Sequence, residues 1–145
     1  KGFALDTPNT AGRAPIQDAA EIGSLEIVQW MHEEGQAPID VVNKHGLHII
    51  HSACKTGNLE LVQYVMAKAG VDVNIADSGG GTPMIYAAAG ASAPSEEVII
   101  ELCTWLHGQG ARLDAANQAG ITPLSHAEKG GRTMLAEWIK AHLNA

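Results

Sequence analysis

The chain has 145 residues, of which 46% are hydrophobic but only 4% aromatic, and its 9 basic and 16 acidic side chains give a formal net charge of −7. That length suffices for one ordinary core, which small aliphatic residues and Ala must fill. The acidic balance argues against general nucleic-acid binding, which rests on Lys and Arg neutralising phosphate, and no apolar run reaches the roughly 18 residues of a membrane span.

One eight-residue phrase recurs along the chain: a branched apolar residue, Asp or Asn, two free positions, Asn or Asp, two free positions, Gly. Its copies are Leu5-Asp6…Asn9…Gly12, Ile39-Asp40…Asn43…Gly46, Val73-Asn74…Asp77…Gly80 and Leu113-Asp114…Asn117…Gly120, starting 34, 34 and 40 residues apart. Self-similarity at this period signals a stacked-repeat solenoid, a scaffold that displays surface.

In the first unit, Arg13 to Gly23 supplies a helix of about two turns, with Pro15 tolerated in the first turn and Gly23 as the stop. Ser24 caps a second helix over Leu25 to Glu34, whose Leu25, Ile27, Val28, Trp30 and Met31 form one apolar stripe. The second unit repeats the plan: His51 to Cys54 lie in the first helix, Gly57 breaks it, and Asn58 caps a helix carrying Leu59, Leu61, Val62, Tyr64, Val65 and Met66. In the third, Thr82-Pro83-Met84 opens the first helix and Val98 to Leu106 makes the second. The fourth runs from Thr122-Pro123-Leu124 through Gly130-Gly131 to Met134, Leu135, Trp138 and Ile139. The third unit is longer by 6 residues, an excess placed around Ala89 to Ser95 as an enlarged loop, with Ser95 capping and Glu96 and Glu97 in the first turn.

These residues resemble the ankyrin-repeat family. The resemblance is carried by Gly81-Thr82-Pro83-Met84, Gly120-Ile121-Thr122-Pro123-Leu124, Gly23-Ser24-Leu25-Glu26-Ile27-Val28, Gly57-Asn58-Leu59-Glu60-Leu61-Val62 and Gly70-Val71-Asp72-Val73-Asn74. It implies an all-α solenoid of antiparallel helix pairs joined by β-hairpin-like fingers, curved and protein-binding. The division that follows is a single domain over 1–145: the end of a preceding unit at 1–12, then units at 13–46, 47–80, 81–120 and 121–145. Half a hairpin at the start suggests an array that began earlier. The family's Thr-Pro pair becomes Ala14-Pro15 and His48-Ile49 in the first two units. Its histidine survives only as His51, with Gln17, Ile85 and Ser125 at the matching places. Those losses are expected to weaken the hydrogen-bonded links between neighbouring turns.

Catalytic and metal motifs are weak. His45, His48, His51 and Cys54 lie close in sequence, but zinc needs convergent ligands in paired short spacings, and each has a place in the repeat frame. Asp72 to Asp77 has Ala76 where a calcium loop needs a ligand and Pro83 where it needs Glu. Gly79-Gly80-Gly81-Thr82 lacks the Lys of a phosphate loop. No enzyme, cofactor or metal is expected. Cys54 and Cys103 both fall in predicted helices and no Asn-X-Ser/Thr sequon occurs, which points to reduced, buried thiols in a reducing compartment. With no signal peptide, an intracellular setting follows, the cytoplasm first and an organelle interior as the alternative. A start at Lys1 rather than Met reads as a processed product or a piece of something longer.

Two surfaces compete as the binding site. The resemblance assigns a concave face to the finger tips, here Thr10, Arg13, Lys44, His45, Leu47, Ser78, Gly81, Gln118, Ala119 and Ile121, and to the first-helix ends, Glu21, Ile22, Lys55, Thr56, Ala89 and Lys129. This set holds four of the nine basic residues and one acid, with Leu47, Ile121 and Ile22 as apolar anchors, and suits a partner protein with an acidic segment. The other surface is an aromatic column, Trp30, Tyr64, Trp105 and Trp138, set at one place in each second helix. It reads either as an interior ladder between units or as a convex docking stripe, Trp being favoured at interface hot spots. The first surface makes the chain an adaptor or scaffold. The second, with the third unit's loop, makes it a subunit of a larger multi-subunit assembly. A third reading makes it the ankyrin region of a larger enzyme or channel. Direct membrane insertion is not expected.

Overall fold

A computed structural model describes residues 7–90 and 92–143. Leu5 and Asp6 of the first phrase, Ala91 of the enlarged loop and the final two residues lie outside the described residues. Among the described residues eight helices follow one another: α1 (Pro15–Ile22), α2 (Leu25–Glu33), α3 (Ile49–Cys54), α4 (Leu59–Ala69), α5 (Pro83–Ala89), α6 (Glu96–Gly108), α7 (Pro123–Lys129) and α8 (Thr133–Leu143). Among the described residues there is no strand, only one isolated antiparallel bridge between Val42 and His48.

The repeated phrase explains the turns that separate the helix pairs. In each copy the Asn or Asp side chain folds the finger by accepting two backbone N–H groups. Asn9 accepts from Ala11 and Arg13, Asn43 from His45 and Leu47, Asp77 from Gly79 and Gly81, and Asn117 from Ala119 and Ile121, all at 2.8–3.0 Å. The closing glycines, 12, 46, 80 and 120, sit at φ between +72° and +83°. Only Gly adopts that region without a Cβ penalty, so the phrase is a turn chemistry written four times.

The helix starts follow the expected capping logic. Ser24, Asn58, Thr82, Ser95 and Thr122 each accept a backbone N–H three residues on. His48 takes the threonine role in α3, its Nδ1 accepting from the Ile50 amide at 3.0 Å. Helix α6 starts at Glu96 with Ser95 as its cap and Glu96 and Glu97 in its first turn, and it runs two residues past Leu106 to Gly108. Helix α8 draws a cap from its neighbour: the Leu135 amide donates to Glu96 Oε2 at 2.7 Å.

First helices pack side by side in the order α1, α3, α5, α7, and second helices pack behind them, α2 against α4 and α6 against α8. The core between them is aliphatic, with Ile16, Ile49, Ile50, Leu61, Met84, Ile99, Leu102, Leu106, Leu135 and Ile139 fully buried. Cys54 and Cys103 are buried free thiols within it; burial pushes both thiols up, Cys103 to about 12, so neither ionises near neutrality.

At each junction one group reaches back to the end of the preceding first helix. Asn58 Nδ2 donates to the Gly23 carbonyl at 2.9 Å, the Ser92 amide to the Lys55 carbonyl at 3.0 Å, and Arg132 Nη2 to the Gly90 carbonyl at 3.1 Å. The enlarged loop therefore packs back onto α3 instead of standing clear of the array.

Candidate protein-binding surfaces

Along the finger and first-helix side, neighbouring units are tied together. The Ser78 amide donates to the His45 carbonyl at 2.9 Å and the Gln118 amide to the Gly79 carbonyl at 2.8 Å. Lys44 Nζ reaches the Thr10 carbonyl at 3.3 Å. The residues standing where the family has histidine do not all lose its links. Gln17 Oε1 accepts from the Ala14 amide and its Nε2 donates to the Leu47 carbonyl at 2.9 Å. An amide side chain, with one acceptor and one donor end, thus reproduces the imidazole's double role. Ser125 keeps the local half, accepting from the Thr122 amide at 2.9 Å. Only Ile85 has no such bond to give.

His51 itself is fully buried. Its Nδ1 accepts from the His48 amide at 2.9 Å, so Nε2 carries the proton that it donates to the Ile75 carbonyl at 3.1 Å. His48 is set the same way, Nδ1 accepting from Ile50 and Nε2 donating to Asp40 Oδ1 at 2.7 Å. Burial lowers the His51 pKa, an effect the Ile75 bond and the nearby Asp77 charge only partly offset. Both rings are structural, and among the described residues no cluster could hold a metal ion.

The expected binding residues divide by environment. Lys44, His45, Ser78, Gln118 and Lys129 are exposed, and so is Ile22 at 76%. Leu47 and Ile121 are half-buried, because their finger arms fold back onto the strip. Thr56 is a correction: it is only 7% exposed, its hydroxyl donating to the Ala53 carbonyl at 2.7 Å and accepting from the Asn58 amide at 3.1 Å. It fastens the turn between α3 and α4 and offers a partner no hydroxyl. The strip's cations are also less free than the sequence suggests. Arg13 pairs with Glu21 at 2.6 Å and Asp18 at 2.9 Å, and Lys55 pairs with Glu21 at 3.2 Å. Burial opposes ionisation of Glu21, yet its bonds to Arg13 and Lys55 win and hold its carboxyl below the usual range.

Where the strip crosses α5, the fingers and first helices enclose a cavity of about 350 Å³ lined by Lys55, Asp77, Gly79, Gly81, Ile85, Tyr86, Ala89, Asn117 and His126. Asp77 accepts from the Gly79 and Gly81 amides through Oδ1 and from the Tyr86 hydroxyl through Oδ2. Burial disfavours its charge, but these three donors outweigh that and keep the carboxyl below its ordinary value. Gly81 and Ala89, both expected strip positions, are small enough to leave this hollow between them, a volume that neither residue type signals in the sequence.

The aromatic column runs through all four second helices. Tyr64, Trp105 and Trp138 each stand three residues after one buried aliphatic and one before another: Leu61 and Val65, Leu102 and Leu106, Leu135 and Ile139. Helix α6 is longer by one turn at its start, before the column position, so Trp105 is its tenth residue where Trp30, Tyr64 and Trp138 are the sixth of theirs. Tyr64, Trp105 and Trp138 pack against the core; Trp30 is 56% exposed, and Ile27 beside it 43%. The α2 stripe is thus buried only at Val28. Burial and the adjacent Glu33, whose Oε2 accepts from the Tyr64 hydroxyl at 2.7 Å, push that hydroxyl's pKa to about 12.

Stacked helix pairs with hydrogen-bonded fingers define a helical-repeat solenoid. Residues 31–87 match the family model for ankyrin repeats (many copies). That stretch is similar to ankyrin repeats, and the all-α architecture of the described residues on both sides of it is consistent with an ankyrin-repeat solenoid. No curated protein matches the sequence. Ankyrin repeats generally bind other proteins and are typically non-enzymatic. No helix among the described residues is long and apolar enough to cross a membrane.

Proposed function

We propose that the chain is a four-unit adaptor or scaffold that binds a partner protein along its finger and first-helix strip. The observation that carries this reading is the tying of that strip from unit to unit by the Ser78–His45, Gln118–Gly79, Gln17–Leu47 and His51–Ile75 bonds. A surface fixed in advance loses little ordering entropy on binding. The exposed Lys44 and Lys129 supply the charge that an acidic partner segment would meet, and the paired Arg13 and Lys55 serve as its neutral rim.

A second reading is favoured by exposed Trp30 and Ile27, which give the second-helix side an apolar patch suited to docking within a larger assembly. Partner capture from the native source separates the two. Lys44→Glu with Lys129→Glu should abolish capture of the protein retained by the unmodified chain, and Trp30→Ala should leave it intact. The opposite pattern would overturn the strip reading.

A further inference from the structure

The position just before each first-helix cap is Arg13, Leu47, Gly81 and Ile121 along the array. Seven residues after each cap stand Glu21, Lys55, Ala89 and Lys129. The third unit therefore has the smallest residue at both places, and α5, Pro83–Ala89, carries no charge at all. The cavity of about 350 Å³ lies at this double deletion, walled by Ile85, Tyr86 and Ala89.

Gly81 is fixed by the wall it serves. A Cβ there would meet Asp77 Oδ2 at 2.9 Å and Tyr86 Cε2 at 3.0 Å, so a side chain would break into the Tyr86–Asp77 bond. The hollow is thus built into the third unit by its own hydrogen bonding.

Its polar groups are mostly satisfied from within the chain. Asp77 already holds three donors, and Lys55 has Glu21 at 3.2 Å. A cationic or hydrogen-bonding ligand finds little to gain there, and an apolar group finds Ile85, Tyr86 and Ala89. The flank towards α7 differs. Arg132 reaches across to the Gly90 carbonyl at the end of α5, and Lys129 is exposed nearby. Among the described residues neither pairs with a carboxylate. Both cations act on His126, which lines the cavity; burial lowers its pKa first, and their charges lower it further.

We infer that this hollow is an anchor pocket for one bulky apolar side chain of a partner segment that carries an acidic residue beside it, the acid meeting Lys129 and Arg132. The inference rests on the strip reading above and moves its apolar centre from Leu47 and Ile121 to the third unit. A buried anchor with a charged neighbour is the arrangement in which one contact dominates binding and the charge sets selectivity and on-rate.

A phage-displayed library of random short peptides, selected on the full chain, tests it. The selected peptides should share a large apolar residue close to Asp or Glu. Ala89→Lys fills the hollow with the residue type that the second and fourth units carry there, and should weaken the selected peptides about 30-fold. Ala89→Glu should weaken them more, and Lys129→Glu about fivefold. Circular dichroism and the urea midpoint of each variant report that the fold is kept, and Ala89→Lys and Ala89→Glu back each other up if one folds poorly. Loss with Ala89→Glu but not Ala89→Lys would mean charge without an anchor and overturns the pocket. Peptides indifferent to both Ala89 variants but lost on Lys44→Glu would overturn the pocket and leave the strip reading standing. Peptides indifferent to all four variants, or no shared pattern, would sink the inference.

Discussion

In α3, two buried imidazoles fasten the first turn: His48 caps it, and His51 ties that cap to the neighbouring finger through the Ile75 carbonyl. In α5 the cap is an ordinary threonine, and Ile85 stands at the tying position with nothing to donate. Tyr86, one residue further on, reaches sideways to Asp77 of its own finger. The second pair is locked by a polar network in which every ring nitrogen is used. The third is held by apolar packing and one rim bond, and that frees its strip surface to be hollow. The same backbone plan can therefore be closed or open depending on where its few polar side chains point.

The largest break in this contrast should come from His51→Ala. It leaves the buried His48 N–H and Ile75 carbonyl unpaired and opens a cavity, a loss of about 3 kcal/mol, read as a lower urea midpoint. A smaller effect should follow from acid. Because the folded pKa of His51 lies below its ordinary 6.5, the unfolded chain binds the extra proton first. Stability is then complete above that value and falls as pH drops through the window beneath it, by at most about 1.4 kcal/mol per pH unit. His126, also lowered, contributes in the same direction. Urea midpoints between neutral and mildly acidic pH measure the slope. His51→Gln, the side chain that Gln17 shows can do the same tying, should flatten it. A slope unchanged in that variant would assign the acid sensitivity elsewhere. The smallest change is expected for Tyr86→Phe, about 1 kcal/mol, since Asp77 keeps both amide donors. A loss as large as that of His51→Ala would erase the distinction drawn between the two pairs.

Much of the fold was legible because its signals are local. The Asn or Asp that folds each finger and the Gly that closes it lie three residues apart, and the caps Ser24, Asn58, Ser95 and Thr122 adjoin their helices. What depends on distant partners was not. Thr56 belongs in sequence to an exposed turn, but its hydroxyl is consumed by Ala53 and Asn58. Arg13 and Lys55 read as free cations until the fold brings both to Glu21, 8 and 34 residues away in sequence. The hollow at α5 is a missing volume shared by two elements, and no single residue type announces it.

The backward bonds from Asn58, Ser92 and Arg132 bear on how the array comes apart. A linear stack whose units touch only their neighbours can fray from its ends, each unit melting on its own. Here every junction carries a bond onto the end of the previous first helix, at Gly23, Lys55 and Gly90. Losing one unit strips its neighbour of a partner for a helix-terminal carbonyl, so nearest-neighbour coupling is raised along the whole row. Denaturation should then proceed as one concerted transition rather than as a peeling of successive pairs.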